Sequence, residues 1–156
     1  MPNTVDSDFL KRELMQFLDE TFNKVDGIYL DKGTSLFETL ASLDAERVSK
    51  PISPGATSIA GQVEHVRFYL AVMFDYMRGK WYEKLDWKQS WLVSEVTPDE
   101  WDDLLRRLRE IHGNVISLIE STTDWSDERR LSGTMAVVAH TAYHLGAIRQ
   151  MLQVVK

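Results

Sequence analysis

Apolar residues recur at helical spacing along most of the chain. Phe9, Leu10, Leu14, Phe17, Leu18 and Phe22 fall three or four apart, with Lys11, Arg12, Glu13, Asp19 and Glu20 between them. That pattern is one face of an amphipathic helix, and it predicts a first helix over about residues 6–25. Asp26-Gly27 ends it, and Asp31-Lys32-Gly33 reads as a turn. Thr34 or Ser35 then caps a shorter segment to about Arg47 that carries Leu36, Phe37, Leu40 and Leu43. Pro51, Pro54 and Gly55 mark a loop.

A second long helix is predicted from Thr57 or Ser58 to about Gly79, with Ile59, Val63, Val66, Leu70, Met73, Phe74 and Met77 on its apolar face. Residues 80–96 show no period and form an aromatic connector. Thr97-Pro98-Asp99-Glu100 combines a cap, a first-turn proline and a capping-box glutamate, so a third helix starts there and runs to about Glu120. Its inward stripe is Trp101, Leu104, Leu105, Leu108, Ile111, Val115, Leu118 and Ile119. Ser121 to Ser132 reads as a polar loop, and a fourth helix follows from Ser132 or Gly133 to Val154. The expectation is an all-α, four-helix bundle in one domain over residues 1–156, with a short extra helix after the first.

Composition narrows the function classes. The chain has a formal net charge of −6 and no local basic patch, so a nucleic-acid partner is not expected. It has no cysteine, which excludes disulfides and thiolate catalysis by the protein and leaves nitrogen and oxygen as metal ligands. A cysteine-free chain fits a reducing cytosol, so a cytoplasmic location is the expectation. Met1 to Asp6 has no basic region and no apolar signal core. The most apolar helix is interrupted by His140, His144, Arg149 and Gln150, so no membrane span is expected.

The candidate chemistry lies in three of the four histidines. Residues four apart on a helix differ by about 40° in direction and about 6 Å in height, so His140 and His144 can reach one ion. They lie in the apolar run Met135-Ala-Val-Val-Ala-His-Thr-Ala-Tyr-His-Leu-Gly-Ala-Ile148, where an imidazole needs a hydrogen-bond partner or a metal. Thr141 excludes the zincin pattern, whose helix-borne glutamate is missing. His65, midway along the second helix, is the best third ligand. Three imidazoles leave coordination positions open and suit Zn, Ni, Fe or Cu. His112, beside Glu110, Gly113 and Asn114, reads as solvated. Glu64 and Arg67 are expected to point outward. Gly61 and Gly146 either allow close approach or are tolerated.

The segment from His140 through Tyr143, His144, Gly146, Ile148 and Arg149 to Gln150, together with Ser58-Ile-Ala-Gly-Gln-Val-Glu-His65, resembles the DinB/YfiT-like superfamily of metal-dependent enzymes. Asp86-Trp-Lys-Gln-Ser-Trp91 is similar to one of its branches. The resemblance implies a four-helix bundle with metal ligands His65, His140 and His144. It implies a divalent ion, nickel or zinc first and iron as a further candidate. It also implies a small-molecule substrate: a low-molecular-weight thiol activated for S-transfer, or alternatively a metal-hydroxide hydrolysis. A non-catalytic bundle that holds a metal or ligand is the other class. Relatives of this kind pair through bundle faces, so a homodimer is expected. Ala147 stands where the signature often has Gln, so no role of that side chain carries over, whereas Gln62 is placed to support a ligand. Tyr69 and Tyr143 are candidate hydrogen-bond donors near the ion, with Tyr143 read as a packed ring whose hydroxyl faces solvent. Among the tryptophans, Trp81 and Trp125 read as anchors, and Trp87 and Trp91 as anchors or as a roof over the site.

Overall fold

The computed structural model describes residues 5–156, so Met1 to Thr4 of the N-terminal stretch lie outside the described residues. The chain forms α1 (Ser7–Phe22), α2 (Leu36–Leu40), α3 (Ala45–Ser49), α4 (Ile59–Met77), a 3-10 turn (Trp87–Trp91), α5 (Pro98–Glu120) and α6 (Glu128–Met151). Among the described residues there is no strand. The four long helices form the bundle. α4 packs against α5 and α6, and α1 closes the opposite side against the same two. Residues near the start of α4 meet residues near the end of α6, and the reverse holds at the other end, so the two run antiparallel.

The caps follow the sequence signals. Thr97 and Glu100 form the expected capping box at α5, and Ser35 with Glu38 forms a second at α2. Three boundaries differ from expectation. α1 ends at Phe22, where Asn23 already caps it. The short segment to Arg47 splits into α2 and α3, because Asp44 caps a new turn. α6 begins at Glu128, four residues before Ser132, because Asp127 accepts from the Arg129 backbone and starts the helix inside the polar stretch. The connector is irregular except for its 3-10 turn.

Two polar clasps tie the non-helical segments to the bundle. Glu20 is buried, and its carboxylate accepts hydrogen bonds from the backbone N–H groups of Asp26, Ile28, Tyr29 and Leu30 at 2.7–3.1 Å. Burial pushes this carboxyl up, but the four N–H donors outweigh it and hold the group down at about 2. At the other end Arg47 donates to the carbonyls of Leu152 and Val155, two groups that the end of α6 leaves free. No helix of the described residues is long and apolar enough to cross a membrane.

His112 corrects an expectation. It is buried, at 4.5 Å from the Phe22 ring and edge-on to Phe37 at 5.4 Å. Its position, four residues after Leu108 and three before Val115, places it on the inward stripe despite its polar neighbours. Its Nε2 has no partner among the described residues, and burial pushes the ring down to about 4. An unfolded histidine protonates near 6.5. The unfolded chain therefore gains its proton first, and the folded state loses stability as pH falls from about 6.5 towards 4. The full effect is on the order of 2–3 kcal/mol. In urea denaturation, wild type should lose more stability than His112→Phe between those limits. Equal losses would contradict the assignment.

Candidate metal centre

Three imidazoles meet at the seam between α4 and α6. His65 comes from the second turn of α4, which Ser58 caps, and His140 and His144 come from successive turns of α6. One ligand-capable atom from each lies within 4.8 Å of those from the others, and this is the metal-competent cluster of His, Asp or Glu found among the described residues. The Nε2 atoms of His65 and His140 are 3.2 Å apart. Two nitrogens on one tetrahedral zinc ion stand about 3.3 Å apart, from bonds of about 2.0–2.1 Å.

Hydrogen bonding fixes which nitrogen of two rings carries the proton. The Ser90 hydroxyl donates to the Trp87 carbonyl at 2.7 Å, so its oxygen must accept at its 2.7 Å contact with His65 Nδ1. His65 therefore carries its proton on Nδ1, and its Nε2 lone pair faces the cluster. His144 Nδ1 lies 2.6 Å from Gln62 Oε1, an acceptor, so it too is protonated there and presents a bare Nε2. His140 Nδ1 is buried without a partner. Burial pushes all three rings down. His144 stands at about 4, lowered further by His65, and His140 at about 3, lowered further by both neighbours. Neutral rings with inward lone pairs are the form that binds a divalent cation. The donor set, the fixed tautomers and the 3.2 Å spacing all fit such an ion.

The connector reaches this seam because of Gly61. A Cβ there would lie 2.7 Å from the Val93 carbonyl oxygen and 2.8 Å from Thr57 Cγ2. Without it, the connector backbone rests on α4 and sets Ser90 and Trp91 against His65. The Trp91 ring stacks on His65 at 3.9 Å and 14°. Tyr69 stacks on His140 at 3.5 Å and 7°. Trp91 thus walls the site, as one of the two readings of the connector tryptophans held, and Trp87 stands farther off at 6.4 Å from His65. Tyr143 meets His144 edge-on but is 75% exposed, so the ring itself lies largely in solvent instead of being packed.

Several expectations are corrected. Glu64 is buried rather than outward, because Arg67 donates to both its oxygens at 2.6 and 2.7 Å and Arg107 from α5 approaches at 3.8 Å. Arg67 itself is largely covered by this pairing. Trp81 does not anchor the connector: it is 72% exposed and touches Tyr76 edge-on, whereas Trp125 is buried as expected. Gly146, by contrast, is the tolerated case of its two readings, since nothing lies near its missing Cβ. Ser90 was missed. A lone serine in an aperiodic segment carries no local signal, and its role arises only when the connector folds back.

A family model described as the DinB superfamily matches residues 30–148. No curated protein and no solved structure gives a significant match. The match spans most of the chain and includes all three clustered histidines, and the fold is the helical bundle expected of that family. The chain belongs to the DinB superfamily.

The two glycines give a paired test. Gly61→Ala should destabilise the fold by about 1–3 kcal/mol and change the near-ultraviolet circular dichroism of the connector tryptophans, because a backbone carbonyl has to move. Gly146→Ala should stabilise it by roughly 0.5–1 kcal/mol through helix propensity. Equal effects at the two positions would contradict this packing.

Proposed function

We propose that the chain is a divalent-metal-dependent enzyme in which His65, His140 and His144 hold the ion and a low-molecular-weight thiol is transferred onto an electrophile. The observation that carries this reading is the pair of hydrogen bonds from His65 Nδ1 to Ser90 and from His144 Nδ1 to Gln62, which leave two Nε2 lone pairs converging with His140. Nickel or zinc suits a set of neutral imidazoles, with iron a further candidate. A divalent ion held there supplies positive charge that lowers the pKa of a thiol in contact with it. No carboxylate joins the three histidines among the described residues, which supports an open position for a substrate.

The chain's own groups orient and shield. Ser90 and Gln62 hold two rings in one tautomer and one orientation. The stacked faces of Trp91 and Tyr69 limit water around the rings and strengthen electrostatic contacts inside. The overall reaction converts R–SH and R′–X into R–S–R′, a proton and X⁻. The S–H and C–X bonds break, the S–C bond forms, the proton passes to solvent, and X leaves with the bonding pair.

Calorimetric titration with nickel and zinc tests the ligand set. His144→Ala should lose tight binding yet keep its helical circular dichroism, because the apolar faces supply most of the stability. Ser90→Ala should bind about 10–100-fold more weakly. Affinity should also fall as pH drops towards the ring values near 4 and 3, because protons compete for the same nitrogens. In turnover assays, metal-loaded wild type should join thiols to electrophiles faster than it cleaves esters, and His140→Ala should do neither. Equal rates for both proteins would favour a bundle that only holds a ligand.

The same reading includes a homodimer formed through the α1–α6 face. Phe17 and Met135 are 38% and 56% exposed there, around an apolar cavity of about 260 Å³ that Leu14 and Val138 also line. Light scattering at micromolar concentration should give twice the chain mass, and Phe17→Glu should halve it. A monomeric wild type would overturn this part.

A further inference from the structure

A cavity of about 500 Å³ opens beside the histidine cluster, between the loop that precedes α4 and the end of α6. Thr57, Gln62 and Gln150 supply its polar groups, and Ile52, Ala147 and Met151 are among its apolar walls. None of its lining residues carries a charge, although 27% of the chain is charged. A carboxylate, phosphate or ammonium group would find no counter-ion there, and burying one would be costly. A volume of this size lies within the range of small-molecule pockets, which pair apolar walls with a few convergent polar groups.

Gln62 links this cavity to the cluster. Its Oε1 accepts from His144 Nδ1 at 2.6 Å, which turns its NH₂ group away from that ring. The NH₂ makes no hydrogen bond among the described residues, and the Gln62 side chain is part of the cavity wall. Ala147 leaves room beside it. A long side chain at this position would project from α6 into the same space.

We infer that this cavity is a subsite for an uncharged small molecule with an alkyl or acyl body and an oxygen acceptor, held by the Gln62 NH₂ group against the Ala147 wall. Resting on the function proposed above, the occupant is the distal body of the electrophile, because the His144 ring stands between the Gln62 side chain and the converging Nε2 atoms. The neutral lining selects its body, and the Gln62 side chain places it one hydrogen bond and one imidazole ring from the cluster.

The test uses metal-free full-length protein labelled with ¹⁵N and three probes of similar length: N-butylacetamide, pentanoate and pentylammonium. The expected result is a saturable shift of the Gln62 and Gln150 side-chain amide resonances with N-butylacetamide, and at least tenfold weaker binding of the two charged probes. Ala147→Leu and Ala147→Met, both first checked for native helical circular dichroism, should weaken N-butylacetamide at least tenfold. Absence of a saturable shift at those amides, equal binding of a charged probe, or unchanged binding in a folded Ala147 variant would each overturn the subsite. Because the probes are read without metal, these failures are distinct from failure of the three-histidine reading, which would appear as absent calorimetric binding of nickel and zinc to wild type.

Discussion

Bringing three neutral imidazoles together at one helix seam, two of them buried and His140 half-buried, is the constraint on which the rest of this structure depends. A ring nitrogen removed from water needs a partner, and its two nitrogens cannot both be satisfied by the apolar neighbours that α4 and α6 offer. Gln62, one turn before His65, satisfies His144. Ser90 satisfies His65, but only because the connector folds back across α4. That return path needs the missing side chain at Gly61, and it delivers Trp91 onto the His65 ring in the same step. One polar requirement thereby sets the path of an otherwise irregular segment and the wall of the candidate site. It also leaves the Nε2 atoms of His65 and His144 converging with His140, an arrangement that a divalent cation relieves, while His140 Nδ1 stays buried without a partner.

The helices were legible because apolar period and capping chemistry agree. Thr97-Pro98-Asp99-Glu100 gave the start of α5 to the residue, and the HxxxH spacing placed two rings on one face of α6. The His65 partnership was legible too, since it required only that the second and last helices be neighbours. What failed has specific causes. The start of α6 was obscured because Glu128, Arg129 and Arg130 make its first turn polar. His112 is misread from its polar sequence neighbours, although helical phase places it inward, and Glu64 from its angle to His65 on the helix, although its arginine partners govern it. Ser90 and the Gly61–Val93 contact depend on tertiary return of the connector, and no local pattern encodes them.

The site divides its tasks among elements with different rigidity. Two long, well-packed helices carry the three rings, so their separation is set by the core. Orientation comes from side chains at the rim, one on α4 and one on the connector. An uncharged cavity lies behind Gln62, and on the inference drawn above it reads the substrate's body without disturbing the ring geometry. The match to the DinB superfamily spans all three rings together with Gln62 and Ser90, which orient two of them.

Anomalous X-ray scattering from crystals of natively purified protein, collected on both sides of the nickel and zinc edges, tests the central claim most directly. The account requires one peak per chain within about 2.0–2.2 Å of Nε2 of His65, His140 and His144, with Ser90 and Gln62 still bonded to the Nδ1 atoms. A peak bound through an Nδ1 atom, a peak elsewhere, or native protein that carries no ion and takes none up on soaking would contradict it.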